Sequence, residues 1–230
     1  YKGVCDENYL KLVNSTQEDC LPYYEENMAL QAQAIMAAFE INDVNNNQSD
    51  GLRALASNGG TIHGNAVNNR FEQNGGNGIA LAIDNGGVVD FGTVASNRRI
   101  QGNNIVGNGG SGINLVSNVS ATSEADMLAT IRGNTINNNV SGGIVSNQNG
   151  PNRIPPALPA VVDNNRLTLD IGGTGTTEGN TLTGNGDVGI GVEVTGNAKA
   201  VVNVTNATVT GTVDGTDPRW NGDGLGLRRA

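Results

Sequence analysis

Five stretches of this chain share one spacing: Asn, a hydrophobic residue at plus two, Asn at plus five, then Gly and an aliphatic residue at plus nine and plus ten. The copies are Asn42/Val44/Asn47/Gly51/Leu52, Asn69/Phe71/Asn74/Gly78/Ile79, Asn103/Ile105/Asn108/Gly112/Ile113, Asn134/Ile136/Asn139/Gly143/Ile144 and Asn180/Leu182/Asn185/Gly189/Ile190. A sixth Gly-aliphatic pair, Gly224/Leu225, follows. Successive pairs lie 27, 34, 31, 46 and 35 residues apart, too loose for hexapeptide or ankyrin-type repeats. Such spacing suits a stacked coil whose turns take insertions while its strands stay in register.

After each repeated Gly, aliphatic residues recur two apart: Ile79, Leu81 and Ile83; Ile113 and Leu115; Ile190, Val192 and Val194; Leu225 and Leu227. That alternation puts them on one face of a strand. A second short strand is predicted around Phe71, Ile105, Ile136 and Leu182, and further strands over residues 88–91, 128–131, 167–171 and 201–204. Asn and Gly tolerate the left-handed backbone that sharp corners need, so the repeated Asn residues are expected at corners. Identical Asn residues in stacked rungs can also pass hydrogen bonds along the stack. Pro151, Pro155, Pro156 and Pro159 mark the longest insertion as a protruding, semi-rigid loop.

Residues 1–40 read differently. Pro22 followed by residues 23–39 predicts a helix, with Glu25 and Glu26 in its first turn and Tyr24, Met28, Ala32, Ile35 and Phe39 as one apolar stripe. An amphipathic helix here is expected to cap the open first rung of the coil. Cys5 and Cys20 both fall in this segment and fit no metal signature; a structural disulfide in an exported protein is expected. Its loop of about 15 residues corresponds to about 3 kcal/mol in the chain-entropy model.

A net charge of −9 argues against duplex nucleic acid, whose phosphates need a basic footprint. No run reaches the roughly 20 apolar residues of a membrane span. The chain opens on Tyr1 and stops just after the sixth Gly-aliphatic pair, so a mature or excised piece of something longer is expected, with residues 41–230 as the repeat region.

Over residues 41–230 the five copies resemble the right-handed parallel β-helix proteins. The resemblance implies an all-β fold, a right-handed solenoid of about six coils behind the capping helix. It implies no single activity, because that family holds polysaccharide lyases, hydrolases, epimerases, phage tailspikes and non-catalytic repeats of large exported bacterial proteins. The aspartate pairs and Gly-His-Gly element of the pectin-hydrolysing relatives and the Asp-Pro-His motif of the uronate epimerases are missing here.

Columns at equal offset expose what an outer face could do. Plus one reads Asp43, Arg70, Asn104, Thr135, Thr181; plus three reads Asn45, Glu72, Val106, Asn137, Thr183; plus eleven reads Arg53, Ala80, Asn114, Val145, Gly191. None gathers carboxylates, and His63 is the only histidine. Two segments offer oxygen ligands. Asp43, Asn45, Asn47 and Asp50 resemble half a calcium loop, with Gln48 where the turn Gly belongs. Asp214, Asp217 and Asp223 surround Arg219 and Trp220, the only tryptophan, where a ring could stack on a sugar face or calcium could stiffen the loop. The expected function is a non-catalytic structural or adhesive segment of an exported or cell-surface bacterial protein. It would need no cofactor beyond a possible Ca2+, and its partners would be an extracellular polysaccharide or other cell-surface components, with end-to-end packing of coils. The alternative is a polysaccharide lyase or glycoside hydrolase.

Overall fold

Along Leu52–Ser57 every other residue is buried, and Thr61–Val67 alternates in the same way. Strands of this kind have one face for a core and one for solvent. The computed structural model describes residues 35–40, 42–93, 97–119, 123–150, 165–211 and 223–230. These form six successive coils. The first holds β1 (Ile35–Glu40), β2 (Asp43–Asn45) and β3 (Leu52–Ser57). The second holds β4 (Thr61–Val67), β5 (Arg70–Glu72) and β6 (Ile79–Asp84). In the third, an insertion divides the first strand into β7 (Gly87–Phe91) and β8 (Ile100–Gln101), followed by β9 (Asn104–Val106) and β10 (Ser111–Asn118). The fourth holds β11 (Ala125–Arg132), β12 (Thr135–Asn137) and β13 (Gly142–Asn149). The fifth holds β14 (Asn165–Ile171), β15 (Thr181–Thr183) and β16 (Val188–Thr195). The sixth holds β17 (Lys199–Val204), β18 (Thr208–Thr210) and β19 (Asp223–Arg229).

Like strands stack into three parallel sheets: β1-β4-β7-β11-β14-β17 with β8 beside β4 and β11; β2-β5-β9-β12-β15-β18; and β3-β6-β10-β13-β16-β19. The described residues therefore form an all-β parallel solenoid and contain no helix. The last five residues of the expected capping helix, 35–39, lie instead in β1, paired from Ile35↔Ile62 to Phe39↔Ala66. Cross-strand pairing with β4 outweighs local helix propensity there, and the Phe39 carbonyl accepts a hydrogen bond from Asn69 Nδ2 (2.8 Å). The described part of the coil thus includes residues 35–40, inside the stretch read from sequence as the N-terminal segment. Residues 1–34, with the rest of that helix, Cys5 and Cys20, lie outside the described residues, as does the Pro-rich insertion.

The repeated residues have three separate jobs. The hydrophobic at plus two (Phe71, Ile105, Ile136, Leu182) and the aliphatic after Gly (Ile79, Ile113, Ile144, Ile190) fill the interior at 0–1% exposure. The repeated Gly gives room rather than a bend. A Cβ on Gly112 would press on Ile136 Cγ2 of the next coil and stand 2.8 Å from the Gly143 carbonyl oxygen.

The repeated Asn residues are the third element, and they are not the corners. The left-handed backbone belongs to the residue just after the second-sheet strand: Asn46, Gln73, Gly107, Asn138, Gly184 and Gly211, with φ between 53° and 65°. Asn68, Gly102, Gly133 and Asn206 do the same before that sheet. The repeated Asn residues turn inward, and eight of them are 0–1% exposed. They form two ladders. Side-chain amide to side-chain oxygen, Asn42–Asn69–Asn103–Asn134–Asn180 are linked at 2.9–3.0 Å, and Asn47–Asn74–Asn108–Asn139–Asn185 at 2.8–2.9 Å. Each acceptor oxygen also takes the backbone N–H of the Asn one coil back. The second amide proton of each buried Asn goes to a backbone carbonyl of the preceding coil, such as Ala66 for Asn103 and Ile105 for Asn139. A buried amide with all its polar groups used is stabilising, while one left unpaired is costly. The first ladder ends at Ala207, which follows Asn180 in register next to the pair Thr181↔Thr208.

Candidate functional site

The interior is taken up by core, ladders and the buried polar residues Ser117, Ser146, Gln148 and Asn165, so solvent reaches only the outer faces and the breaks. The columns expected from sequence are the real ones: Asp43↔Arg70↔Asn104↔Thr135↔Thr181 and Asn45↔Glu72↔Val106↔Asn137↔Thr183 on the second sheet, Arg53↔Ala80↔Asn114↔Val145↔Gly191 on the third. At the first-coil end of the second sheet Arg70 bridges Glu72 and, at 3.5 Å, Asp43, while Asn104 Nδ2 donates to Glu72. Those carboxylates raise the Arg70 guanidinium above its usual range, the Glu72 hydrogen bond being the largest cause.

The four oxygen-bearing residues of the half calcium loop each have a partner in the second coil. Asp43 faces Arg70, the Asn45 side-chain oxygen accepts the Glu72 N–H (3.0 Å), and Asn47 opens the second ladder. Asp50 accepts both the backbone N–H and the side-chain amide of Asn77 (2.8 and 2.9 Å). Among the described residues no three His, Cys, Asp or Glu side chains gather as a metal site. Asp214, Asp217, Arg219 and Trp220 lie outside the described residues; of that loop only the backbone of Asp223, which opens β19, is described.

Besides the Asp126–Arg166 pair, the described residues of the first sheet carry two charged clusters. In one, His63 and Asp90 share a register position, and His63 Nδ1 stands 3.3 Å from Asp90 Oδ2. Asp90 is almost buried and holds the insertion after β7: its Oδ1 accepts the Gly92 N–H (2.8 Å) and its Oδ2 pairs with Arg98. The far end of that insertion is tied too, since the Arg99 N–H donates to Asn65 Oδ1 (2.8 Å). Asp90 is therefore a clamp on the insertion, with His63 at its rim.

No family model, curated protein or solved structure matches this chain.

The second cluster lies further along the same face, where the loop after β14 folds over β11. Arg132 Nη1 pairs with Glu178 at 2.9 Å, and the Gly175 N–H donates to the same carboxylate at 2.9 Å. The Gly175 hydrogen bond and Arg132 hold the Glu178 carboxyl below the ordinary range. Arg132, Asp170, Thr174, Glu178, Asn203 and Thr205 line one open cleft of about 450 Å³.

Neither cluster follows from the repeat. Arg132 and Glu178 are 46 residues apart, and the loop between β14 and β15 has no counterpart in the second coil. The one legible signal was the alternation inside each first-sheet strand: aligning the inward Ile62 and Val89 places His63 beside Asp90.

The Glu178 arrangement has a pH signature. A carboxyl whose folded pKa is lowered stabilises the fold above its unfolded pKa and loses that contribution as pH falls through the folded value. Glu178→Gln removes it, so the acid unfolding profile of the variant is expected to be flatter below the ordinary glutamate range and unchanged in shape near neutrality. Circular dichroism across a pH series checks this. Identical acid limbs for the two proteins contradict the assignment.

Proposed function

We propose that this chain is a right-handed parallel β-helix serving as a non-catalytic structural segment of an exported or cell-surface protein, an elongated support that displays loops. The right hand is the one nearly all strand-to-parallel-strand crossovers take. The observation that carries the reading is how three of the outer-face acids are used. Asp90 is held by Gly92 and Arg98, Glu178 by Gly175 and Arg132, and Glu72 by Arg70 and Asn104. A carboxylate fixed in this way braces a loop or a coil and is poorly placed to move a proton. Glycan contact, on this reading, belongs to the loop around Trp220. Calcium would be an accessory to that loop, because at the Asp43–Asp50 segment it would compete with the next coil for Asn45 and Asp50.

A second reading, a polysaccharide lyase or glycoside hydrolase, is favoured by the Arg132, Asp170 and Glu178 cleft, which puts two acids and a base on one outer face. Acidic and neutral polysaccharides incubated with the protein, followed by ultraviolet absorbance of unsaturated ends and by reducing ends, separate the two. The structural reading expects no product from any polymer and, on glycan arrays, binding that Trp220→Ala abolishes. Product formation lost in Glu178→Gln establishes the enzyme instead.

A further inference from the structure

The cleft between the loop after β14 and the start of the sixth coil contains a charge that nothing described there balances. Asp170 is 6% exposed on the outer face of β14. Among the described residues its one hydrogen bond comes from Asn203 Nδ2, at 2.7 Å. The cation of the cleft, Arg132, pairs through Nη1 with Glu178, and its Nε has no hydrogen-bond partner. Arg132 and Glu178 cancel, so the cleft keeps the single negative charge of Asp170. A buried carboxylate with one neutral donor is costly, and folded proteins ordinarily give such a group a cation.

We propose that this cleft binds the primary ammonium group of a small organic amine, with Asp170 as its counter-ion. An ammonium has three donors and no acceptor. Asp170 supplies the charge, and Thr174 and Thr205, which line the cleft, carry hydroxyls able to serve as neutral acceptors. The volume of about 450 Å³ falls in the range of small-molecule sites and leaves room for the body of the amine. Other ligand classes fit less well. An anion would meet the net negative charge. A neutral sugar would leave that charge uncompensated and would find no aromatic ring among the lining residues. A hard metal ion wants six or more oxygens, and no three acidic, His or Cys side chains converge here. The overall charge of −9 adds a long-range attraction for cations. This site does not depend on the structural reading and holds for either function.

The test is titration of the full chain by NMR or calorimetry with two amines of different body, cadaverine and glucosamine, and their uncharged counterparts, 1-pentanol and N-acetylglucosamine. Saturable binding is expected for at least one amine, and at least about tenfold weaker binding for the uncharged pair. The glucosamine and cadaverine arms distinguish an amino sugar from an aliphatic amine. Asp170→Asn keeps the size and the acceptor for Asn203; it is expected to weaken the amine at least about tenfold and to raise the thermal midpoint of the unliganded protein. Asp126→Asn, on the same sheet but facing Arg166, removes an equal charge outside the cleft and is expected to bind amine like the parent protein. Equal loss in Asp126→Asn reduces the effect to general attraction by an acidic protein and overturns the site. So does undiminished binding in Asp170→Asn, equal binding of the uncharged pair, or no binding of either amine.

Discussion

Asn139→Ala is expected to destabilise the solenoid by about 3–5 kcal/mol, far more than a polar-to-Ala change usually costs. Asn139 is 1% exposed and ties three coils together. Its oxygen accepts the backbone N–H and the side-chain amide of Asn108 (3.1 and 2.8 Å); its amide donates to Asn185 (2.9 Å) and to the Ile105 carbonyl (3.1 Å). Truncation takes these bonds from two donors, the Asn108 backbone N–H and one Asn108 amide proton, and from one acceptor, the Ile105 carbonyl, while Asn185 Oδ1 keeps the Asn139 N–H; each buried group left unpaired is worth about 1–3 kcal/mol. Asn149 also bonds its stacked neighbour, Asn118, at 2.8 Å, but in solvent, where water replaces the lost partner. Asn149→Ala is therefore expected to cost under about 1 kcal/mol. Urea unfolding of the two variants beside the parent protein measures both. Coils of a solenoid can unfold separately, so the first transition is the one compared. Equal losses in the two variants would show that the buried ladder carries no special weight.

Gly112→Ala is the second large effect, an expected loss of about 1–3 kcal/mol from overpacking alone. The added methyl has nowhere to go: Ile136 Cγ2 lies in its place, the Gly143 carbonyl oxygen is 2.8 Å away and Asn139 Nδ2 3.0 Å. Backbone conformation is not the cause, because Gly112 is outside the set with positive φ. The double-mutant cycle with Ile136→Ala separates the causes. Ile136→Ala alone costs about 2–5 kcal/mol by leaving a cavity. If the methyl fills part of that cavity, the double variant is more stable than the two single losses added together. Strict additivity would place the strain on the Gly143 carbonyl instead.

Much of the second and third sheets was legible because each repeat carries its own ruler. The distance from Asn42 to Leu52 recurs in every copy, so Arg70 faces Asn104, and Ile79 faces Ile113, as the columns require. The first sheet has no such ruler. Its strands follow insertions of unequal length, and the split between β7 and β8 sets Phe91 and Ile100 against one neighbouring strand, β11. Side chains far apart in sequence therefore meet without warning, as Arg132 meets Glu178. Tolerance of left-handed backbone makes the repeated Asn residues candidates for corners. Asn46, Asn68 and Asn138 do take that conformation, but they are the unrepeated neighbours. What decided the matter is stacking: an Asn that recurs in every rung can satisfy its amide on the rungs above and below, whereas a corner needs only permissive φ. The stretch 35–40 misled for a related reason, since apolar Ile35 and Phe39 fit a helical stripe and a strand equally until β4 is beside them.

The central claim is that the repeated Asn side chains are buried rungs of a parallel stack and leave the repeat nothing to bind with. Hydrogen exchange of the Asn side-chain amides, followed by NMR on the full chain, tests it most directly. Protons on Asn103, Asn108, Asn134 and Asn139 are expected to persist as long as the backbone amides of the strands they join, while those of Asn85 and Asn149, bonded to neighbours in solvent, exchange early. If the first four exchange as fast as the last two, the ladders are not closed and the account fails.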